Sequence, residues 1–442
     1  MKGMRRFSWL LVGGAVVAAL VYAQIGRPNS DAFLRNRNGQ ALMQTYQLIQ
    51  DEYLQKLDQK KLDAVIQGGI RGMIGALDDQ FTSYTAPTSS SIRSQDLQGE
   101  FYGIGVSLSL QPAKGGGAQI IGVTRGLPGY NAGLKVGDVI TEVNGQDVTK
   151  LEVDEIVSKI RGPKDTKVTI GVRRDGSNAV IKFEMVRQKV EIISVTKAIL
   201  PGNVGYVALE TFANVKVFEQ LNAALKEMRD KGVKKLVFDL RDNGGGLLDQ
   251  GCQVAEAFIK EGPIVFTRYR TQTKLFCEAS GRVQWSGPMV VLVNGNSASA
   301  SEIVAGAIQD TGRAKVIGES TFGKGVGQNV IDLPNGGELT LVTFEWLTPK
   351  KRALNKTGVK PDIEVKDTRF EVPLAFEGTG VKPGETVTLN VGGKTYTAKA
   401  DEKGKFTFSQ TLPPRPQSED RGQALIELEK DAILQRALEE LK

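Results

Sequence analysis

The stretch MVVLVNGNSASASEIVAGAIQD, residues 289–310, has the successive patterns of a strand, a turn and a helix. MVVLV is an unbroken apolar run, which is typical of a strand buried on both faces of a sheet. Gly295 and Asn296 predict a turn. Ile303 and Ala307, four residues apart, predict the apolar face of a helix. The serines of SASAS therefore lie at a strand-to-helix turn, where they fit two roles: a helix cap, or a nucleophile beside helix N–H groups that can stabilise an oxyanion.

The flanking sequence repeats this alternation of strand and helix. Strand patterns are NVGYVALETF (203–212), KKLVFDL (234–240), AKVIG (314–318) and GELTLVTFEW (337–346), and helices are predicted from Phe218 to Gly232, from Leu247 to Ile259 and over about 299–310. This order predicts parallel strands joined by crossover helices, an α/β layered domain, at 186–368. Sites in such domains gather at the carboxyl ends of the strands, here RDNGGGLL (241–248) and NGNSASASE (294–302).

Residues 30–85 have a helical pattern. Apolar residues recur as on one face of an α-helix, and a second helix follows: Leu42, Tyr46, Ile49 and Tyr53. A helical pair this short cannot bury a core of its own. We expect it to pack on another domain or on a second subunit, the latter giving a homo-oligomer.

From 96 to 183 the sequence changes to short strands and glycines, and Asn144-Gly145 is a tight-turn signal. This order of elements resembles a PDZ domain of the permuted bacterial kind. The resemblance implies that the segment Tyr102-Gly103-Ile104-Gly105 offers backbone N–H groups to a peptide's terminal carboxylate, while the peptide adds to a strand edge. Glycines suit this role because the backbone has to curl around an anion. The alternative is an ordinary glycine turn.

Residues 1–25, MKGMRRFSWLLVGGAVVAALVYAQI, combine a basic start with an uncharged apolar run. This is the pattern of an export signal. The run is near the lower limit for a membrane span, and VYA matches a cleavage site only loosely, so a removed signal and an uncleaved membrane anchor both stay open. In either case we expect the protein to work outside the cytoplasm, in the periplasm or cell envelope.

The composition excludes several kinds of site. The chain of 442 residues has no histidine, which removes Ser-His-Asp triads, Cys-His pairs and histidine-ligated zinc, and no cofactor or metal is expected. The net charge of +7 is spread along the chain, so nucleic acid is not an expected partner. Cys252 and Cys277 are too far apart for a CxxC motif, and a disulfide and two buried thiols are equally open.

GESTFGKG, residues 318–325, matches the start of a phosphate-binding loop. That motif requires a Ser or Thr after the lysine and then a helix. Here Gly325 follows Lys324, and the next segment is a β-branched run that ends in proline. Two alternatives stay open: an ordinary solvated surface lysine, or a base, because a lysine removed from water tends to lose its proton. We expect Phe322 to provide apolar cover, and Gly323 and Gly325 to permit close approach.

Three motifs in register, DLRDNGGGLL (239–248), SASASE (297–302) and GESTFGKGVGQ (318–328), resemble the C-terminal processing peptidases. These are the tail-specific serine peptidases of family S41, which use a Ser/Lys dyad and carry a PDZ domain. The resemblance covers about 35–368 and the final helix. It implies a multidomain α+β chain with an N-terminal helical segment, a permuted PDZ domain, a ClpP/crotonase-like α/β peptidase core, and a small C-terminal β region with a terminal helix.

The resemblance also assigns residue roles. The family's nucleophile falls on Ser299, and its general base falls on Lys324, which Gln328 helps to orient. The backbone N–H groups of Ala300 and Gly245 become the oxyanion donors.

Two further features are implied with alternatives. The family's usual RxNPGG reads RDNGGG at 241–246, and glycine in place of proline loosens that loop. Arg161 matches a family arginine that couples the PDZ domain to the active site, and a plain surface role is the alternative.

Residues 369–442 form the C-terminal region. Alternating apolar and polar residues with turn glycines at 380–412 predict a small antiparallel sheet, and a final helix is predicted from Gln423 to Leu441. No chemistry is assigned to this sheet.

The implied function is an exported serine endopeptidase acting on proteins with unstructured C-terminal tails. The resemblance implies that the PDZ domain recognises the tail, and in relatives this domain can also act as a gate to the site. The rival hypothesis is a non-catalytic PDZ adaptor whose α/β domain only binds peptides, because a fold alone does not establish activity. The intact set Ser299, Lys324 and Gln328 favours the enzyme.

Overall fold

The computed structural model describes residues 30–176, 179–369, 375–391, 394–409 and 422–442. The predicted export signal at 1–25 lies outside these residues. Within them, no helix has the length and apolarity that crossing a bilayer demands. The chain divides into two compact units, Met1–Tyr84 and Thr85–Lys442.

The first unit is helical, as predicted. Its helices are α1 (Ser30–Arg35), α2 (Arg37–Glu52) and α3 (Gln59–Gly75), and the strand β1 (Ser83–Thr85) lies at its end. Leu62 is buried, but Leu42 and Tyr53 of the predicted apolar face are 45% and 56% exposed. Packing of this face on a second subunit stays a prediction.

The second unit begins with α4 (Pro87–Leu97), which leads into a six-stranded antiparallel sheet. Its elements are β2 (Glu100–Gly103), β3 (Val106–Pro112), β4 (Ala118–Val123), α5 (Pro128–Ala132), β5 (Val139–Val143), β6 (Gln146–Asp147), α6 (Val153–Ile160), β7 (Lys167–Arg173), β8 (Ile181–Val186) and β9 (Gln188–Glu191). The sheet has the order β3-β4-β5-β7-β8, with β6 on β5, while β2 pairs with β9.

The core of this region is built from alternate residues of its strands and from α6. Ile140, Ile156 and Ile170 are fully buried. The predicted turn at Asn144-Gly145 is confirmed: both residues have positive φ, +50° and +76°, as a two-residue hairpin turn requires. Strand β3 lies at the edge of the described sheet.

The predicted α/β domain is also present. Its sheet has the order β10 (Val195–Leu200), β11 (Val204–Leu209), β12 (Lys235–Asp239), β15 (Met289–Val293), β16 (Lys315–Gly318) and β19 (Ile363–Glu364). All neighbours from β11 onward are parallel. Helices α7 (Val217–Asp230), α8 (Leu248–Glu256) and α9 (Ala300–Asp310) cover one face, and α10 (Ala432–Glu440) covers the other. Because both faces are covered, these strands read as continuous apolar runs.

A second, antiparallel sheet was only partly predicted. It contains the hairpin β13 (Glu261–Arg268) and β14 (Thr273–Ser280), which the sequence did not suggest, and the hairpin β17 (Val326–Asp332) and β18 (Glu338–Leu347). Cys252 of α8 and Cys277 of β14 form a disulfide. Of the two cysteine states that the sequence left open, the structure has the bonded one.

The C-terminal region contains the predicted antiparallel strands as two pairs. β20 (Ala375–Gly378) pairs with β23 (Phe406–Ser409), and β21 (Thr386–Val391) pairs with β22 (Lys394–Lys399). The predicted start of the last helix at Gln423 was wrong, because α10 begins at Ala432. Residues near Gln423 are extended instead and bond to Lys197 of β10, a contact between distant segments that overrides the local helical pattern.

Candidate active site

Three loops at the carboxyl ends of β12, β15 and β16 meet around a cavity of about 700 Å³. Five residues singled out by the sequence line this cavity: Gly245, Ser299, Ala300, Lys324 and Gln328. They come from segments separated by up to about 80 residues. The edge of the parallel sheet brings them together, as expected for the carboxyl ends of its strands.

The serine run SASAS separates into one cavity residue and two structural ones. Ser297 and Ser301 are fully buried. Their hydroxyls donate to the carbonyls of Leu240 and Asn243, both at 2.8 Å. Ser299 is partly exposed in the cavity and adopts φ +57°, ψ −115°, a backbone conformation that is strained for a non-glycine residue. Strain at a strand-to-helix turn is a feature of exposed nucleophiles.

Glu302 connects the serine turn to the lysine loop, and sequence reasoning missed this role. Its fully buried carboxylate accepts the backbone N–H groups of Ser299 (2.8 Å) and Lys324 (2.9 Å). The N–H of Gly323 and the hydroxyl of Thr321 bond to its other oxygen, at 2.7 and 2.6 Å. The S-x-x-E spacing from Ser299 to Glu302 is a capping-box signal that could have indicated half of this arrangement.

The loop that carries Lys324 is covered by a different aromatic residue from the one predicted. Phe322 is 53% exposed, so its expected role as apolar cover was wrong. Trp346 is buried instead, lines the cavity, and donates its indole N–H to the Lys324 carbonyl at 3.0 Å. Gly325 is required for close approach, because a Cβ there would lie 2.4 Å from the nitrogen of Asn355.

The glycine loop after β12 packs directly on the serine turn. At Gly245, with φ +93°, a Cβ would lie 2.7 Å from Ser299 Cβ and 2.9 Å from Ala300 N, so no other residue fits. Its N–H donates to Asn243 Oδ1 at 2.9 Å. Ala300 is the first residue of α9, where a helix leaves N–H groups without intrahelical partners.

Asn243 is a second residue that the sequence analysis did not select. It is fully buried, and its carbonyl accepts the N–H of Ala298 at 3.0 Å and the hydroxyl of Ser301 at 2.8 Å. These partners flank Ser299 on both sides. The glycine loop therefore holds the serine turn through one carbonyl group.

Helix α4 forms a wall of the cavity and also contacts the antiparallel domain that precedes the α/β core. Ser89 and Arg93 line the cavity, and Ser89 donates to Asp154 of α6. Arg161, at the end of α6, donates to Asp96 of α4 at 2.8 Å, and its guanidinium lies 3.8 Å from the centre of the Phe101 ring. Arg161 thus packs the end of α6 against the end of α4 and against β2, with a side chain only 13% exposed.

The predicted carboxylate loop runs from β2 into the edge strand β3. Tyr102 and Gly103 pair with β9, and Ile104 is buried in the domain core. Gly105 has φ +74°, and a Cβ would lie 2.5 Å from Leu127. Glycine is therefore required at this bend whether the loop binds a carboxylate or serves as an ordinary turn.

Three protein-family models match successive segments of this chain. The model of Peptidase family S41 matches residues 203–365, that of the PDZ domain matches 94–173, and that of the activating protease CtpB N-terminal domain matches 23–88. The carboxyl-terminal-processing protease of Synechocystis sp. is 31% identical over 418 residues, covering 90% of this chain and 96% of that protein. The carboxy-terminal-processing protease of Bartonella bacilliformis is 33% identical, covering 85% and 84%.

Among solved structures, the photosystem II D1 C-terminal processing protease is 30% identical, with a TM-score of 0.44, covering 76% of this chain and 88% of that chain. The identity of 31% to 33% to these two curated proteases extends over 85% to 90% of this chain, which carries both a PDZ segment and a peptidase segment. The chain therefore belongs to the carboxyl-terminal-processing protease family, peptidase family S41.

Proposed function

We propose that this protein is an exported serine endopeptidase with a Ser/Lys dyad, in which Ser299 is the nucleophile and Lys324 the general base. The observation that carries the proposal is that both residues line one cavity, while the Glu302 carboxylate binds the backbone N–H of each. The two other serines of the run are buried and bonded to carbonyl groups. Ser299 is thus the serine of this run that a substrate can reach.

In the proposed reaction, the neutral Lys324 amine takes the proton of the Ser299 hydroxyl as Oγ attacks the substrate carbonyl carbon. The negative charge that develops on the carbonyl oxygen is stabilised by the N–H of Ala300 at the start of α9. When the C–N bond breaks, the Lys324 ammonium returns the proton to the leaving amine. Water then hydrolyses the acyl-enzyme ester, with Lys324 again acting as the base and Gln328 helping to orient it.

Gly245 is the second proposed oxyanion donor, and its N–H is engaged by Asn243 in this structure. An incoming oxyanion would compete with the neutral amide oxygen for this donor, and a charged acceptor forms the stronger bond. We infer that this conformation is a resting state of the loop.

We propose that substrates are proteins with unstructured C-terminal tails. The edge strand β3, next to the glycine loop Tyr102–Gly105, suits addition of an extended peptide. Because α4 contacts α6 of the PDZ domain and also walls the cavity, binding of a tail can shift α4 and gate the site. Arg161, bonded to Asp96, is the proposed coupling residue.

The catalytic proposal is tested by incubating the purified protein with an unstructured tail peptide and identifying the products by mass spectrometry. We expect cleavage by the wild type and none by Ser299→Ala, while Ser320→Ala in the next loop serves as the control. We expect Lys324→Arg to be inactive because guanidinium stays charged, and wild-type activity to rise with pH as the lysine loses its proton. No cleavage by the wild type would favour the adaptor function.

The tail proposal has its own test. Amidation of the substrate's C-terminus should lower kcat/KM without changing the cleavage site, because the PDZ loop then meets no carboxylate. Equal rates for the acid and the amide would refute carboxylate recognition.

Export and assembly are also proposals. The basic and apolar segment at 1–25 supports export, as a removed signal or a membrane anchor. The exposed apolar residues of α2 and α3 support a homo-oligomer. Fractionation of cells that produce the full chain, and light scattering of the purified protein, would test each.

A further inference from the structure

Behind the glycine loop lies a set of buried charges that the C-terminal part of the chain contributes. We call Asp367, Arg369 and Asp431 the C-terminal brace. The Arg241 guanidinium, 1% exposed, donates to both oxygens of Asp431 at 2.7 and 2.8 Å, and its other bonds go to Asp239. Burial alone would lower the pKa of Arg241, but Asp239 and Asp431 raise it well above its ordinary value. Arg241 is therefore a charged group fixed between two carboxylates.

The second brace contact acts on the next residue. Arg369 donates to Asp242 at 2.7 Å and is itself held by Asp367. Asp242 has φ +61°, a left-handed conformation that is unfavourable for a non-glycine residue. Its N–H is also held, at 2.9 Å, by Asn294. Arg369 thus helps to keep Asp242 in the conformation that directs the glycine loop toward the cavity.

The contacts continue from the brace to the nucleophile. Asn243 directly follows the two braced residues, and its carbonyl binds Ala298 and Ser301, on either side of Ser299. A shift of Arg241 or Asp242 therefore moves the support of Ser299 and of Gly245 together. Neither Arg369 nor Asp431 lines the cavity.

We propose that Arg369 and Asp431 are positioning residues for peptide hydrolysis, which fix the glycine loop and the serine turn from behind. This rests on the function proposed above. The brace residues stand at the two ends of the segment that contains the C-terminal β region. Thr368 closes that segment by accepting the N–H of Ala432 at 3.1 Å and donating to the Lys430 carbonyl at 2.7 Å. The brace is therefore separable from the β region.

The test compares Asp431→Asn and Arg369→Gln with a control, Glu440→Gln. Asparagine keeps the oxygen that caps α10 but lacks the charge and second acceptor that Arg241 uses. Glu440 lies on the same helix and pairs with Lys315, so its variant loosens α10 without touching the glycine loop. The readouts are kcat and KM on a tail peptide, inhibition by a peptide boronate, and Tm.

We expect each brace variant to lower kcat about 10- to 100-fold, because a displacement of about 1 Å can cost about 100-fold in rate. KM should stay within about twofold, and the boronate, which forms a tetrahedral adduct, should bind more weakly in the same proportion as kcat. Glu440→Gln should keep the wild-type kcat. If the role were purely structural, Tm and the fraction of active enzyme would fall, but the inhibition constant of the boronate would not rise more than KM does.

An excision variant separates the brace from the β region. Ala375 and Ser409 are paired neighbours on β20 and β23, so a short Gly/Ser linker can replace 376–408, and we expect it to keep kcat. The proposal is overturned if Asp431→Asn and Arg369→Gln keep the wild-type kcat, or if both unfold at the assay temperature. If instead Ser299→Ala is active, the proposed function itself fails, independently of the brace.

Discussion

Replacement of Glu302 by glutamine isolates the contact that joins the proposed nucleophile and base. Each carboxylate oxygen accepts two hydrogen bonds, those of Ser299 and Lys324 on one side and those of Gly323 and Thr321 on the other. The amide nitrogen of glutamine cannot accept, so the bonds from Ser299 and Lys324 are both lost if it faces them. In the other orientation the Gly323 bond is lost, and the Thr321 hydroxyl has to turn and accept. The first orientation, with two bonds lost, sets the expected magnitude. At about 1.5 to 3 kcal/mol for each bond to a charged group, the expected loss in free energy of unfolding is about 3 to 6 kcal/mol.

The activity should fall more than this loss of stability explains. If the serine turn and the lysine loop separate by about 1 Å, kcat should fall about 100-fold, equivalent to about 2.7 kcal/mol of transition-state stabilisation. The assay is steady-state cleavage of a tail peptide at a temperature where denaturant titration shows the variant to be folded. Both kcat and the unfolding free energy are then measured on one preparation.

The matched control is Asp310→Asn, at the other end of α9. Its carboxylate is also buried, 3% exposed, and pairs with Arg352 at 2.6 Å, far along the helix from the cavity. We expect this variant to lose stability but to keep kcat. A Glu302→Gln enzyme with a kcat within twofold of the wild type, or no lower than that of Asp310→Asn, would refute the reasoning.

Three further predictions concern other parts of the chain. Replacing Cys252 and Cys277 together by serine should lower the unfolding free energy by about 3 kcal/mol, because the disulfide closes a loop of 25 residues. In denaturant titrations, adding a reductant should lower the unfolding free energy of the wild type by the same amount and leave that of the double variant unchanged. Burial would raise the pKa of Asp367, but the bonds from Arg369 and Asn294 outweigh it and hold that pKa well below its ordinary value of 3.8. The paired carboxylate therefore stabilises the fold fully above about pH 4 and progressively less as pH falls, so Asp367→Asn should show a shallower acid destabilisation in circular dichroism. Arg161→Ala should reduce the preference for an acid over an amidated tail in kcat/KM, whereas Lys159→Ala on the same helix should keep it.

Much of the fold could be predicted because it follows from local patterns. The unbroken apolar runs predicted the parallel strands, and the turn residues at Asn144-Gly145 predicted a hairpin that the structure contains. The hairpin formed by 261–280 was missed, and the last helix was started too early. In both places the conformation depends on partners elsewhere in the chain, such as the contact of Gln423 with Lys197.

In the candidate site, too, residues within short motifs were predicted, and residues that act through distant partners were missed. Ser299, Lys324, Gln328, Ala300 and Gly245 were selected from motifs, and the structure places them around one cavity. Glu302, Asn243 and Trp346 were not selected, because a buried acceptor or an aromatic cover has no signature until its partners are known. The apolar cover was assigned to Phe322, the nearest aromatic residue in sequence, although the covering residue comes from β18.

The sequence by itself determined the strand and helix order, the absence of histidine chemistry, and the serine and lysine that remain as the proposed dyad. These follow from residue types and short-range periodicity, which act within a few residues. Only the tertiary structure decided that Glu302 joins the two loops and that Asp431 binds Arg241 across 190 residues. Such contacts depend on how the sheet orders its strands, and that order is set by packing of distant segments.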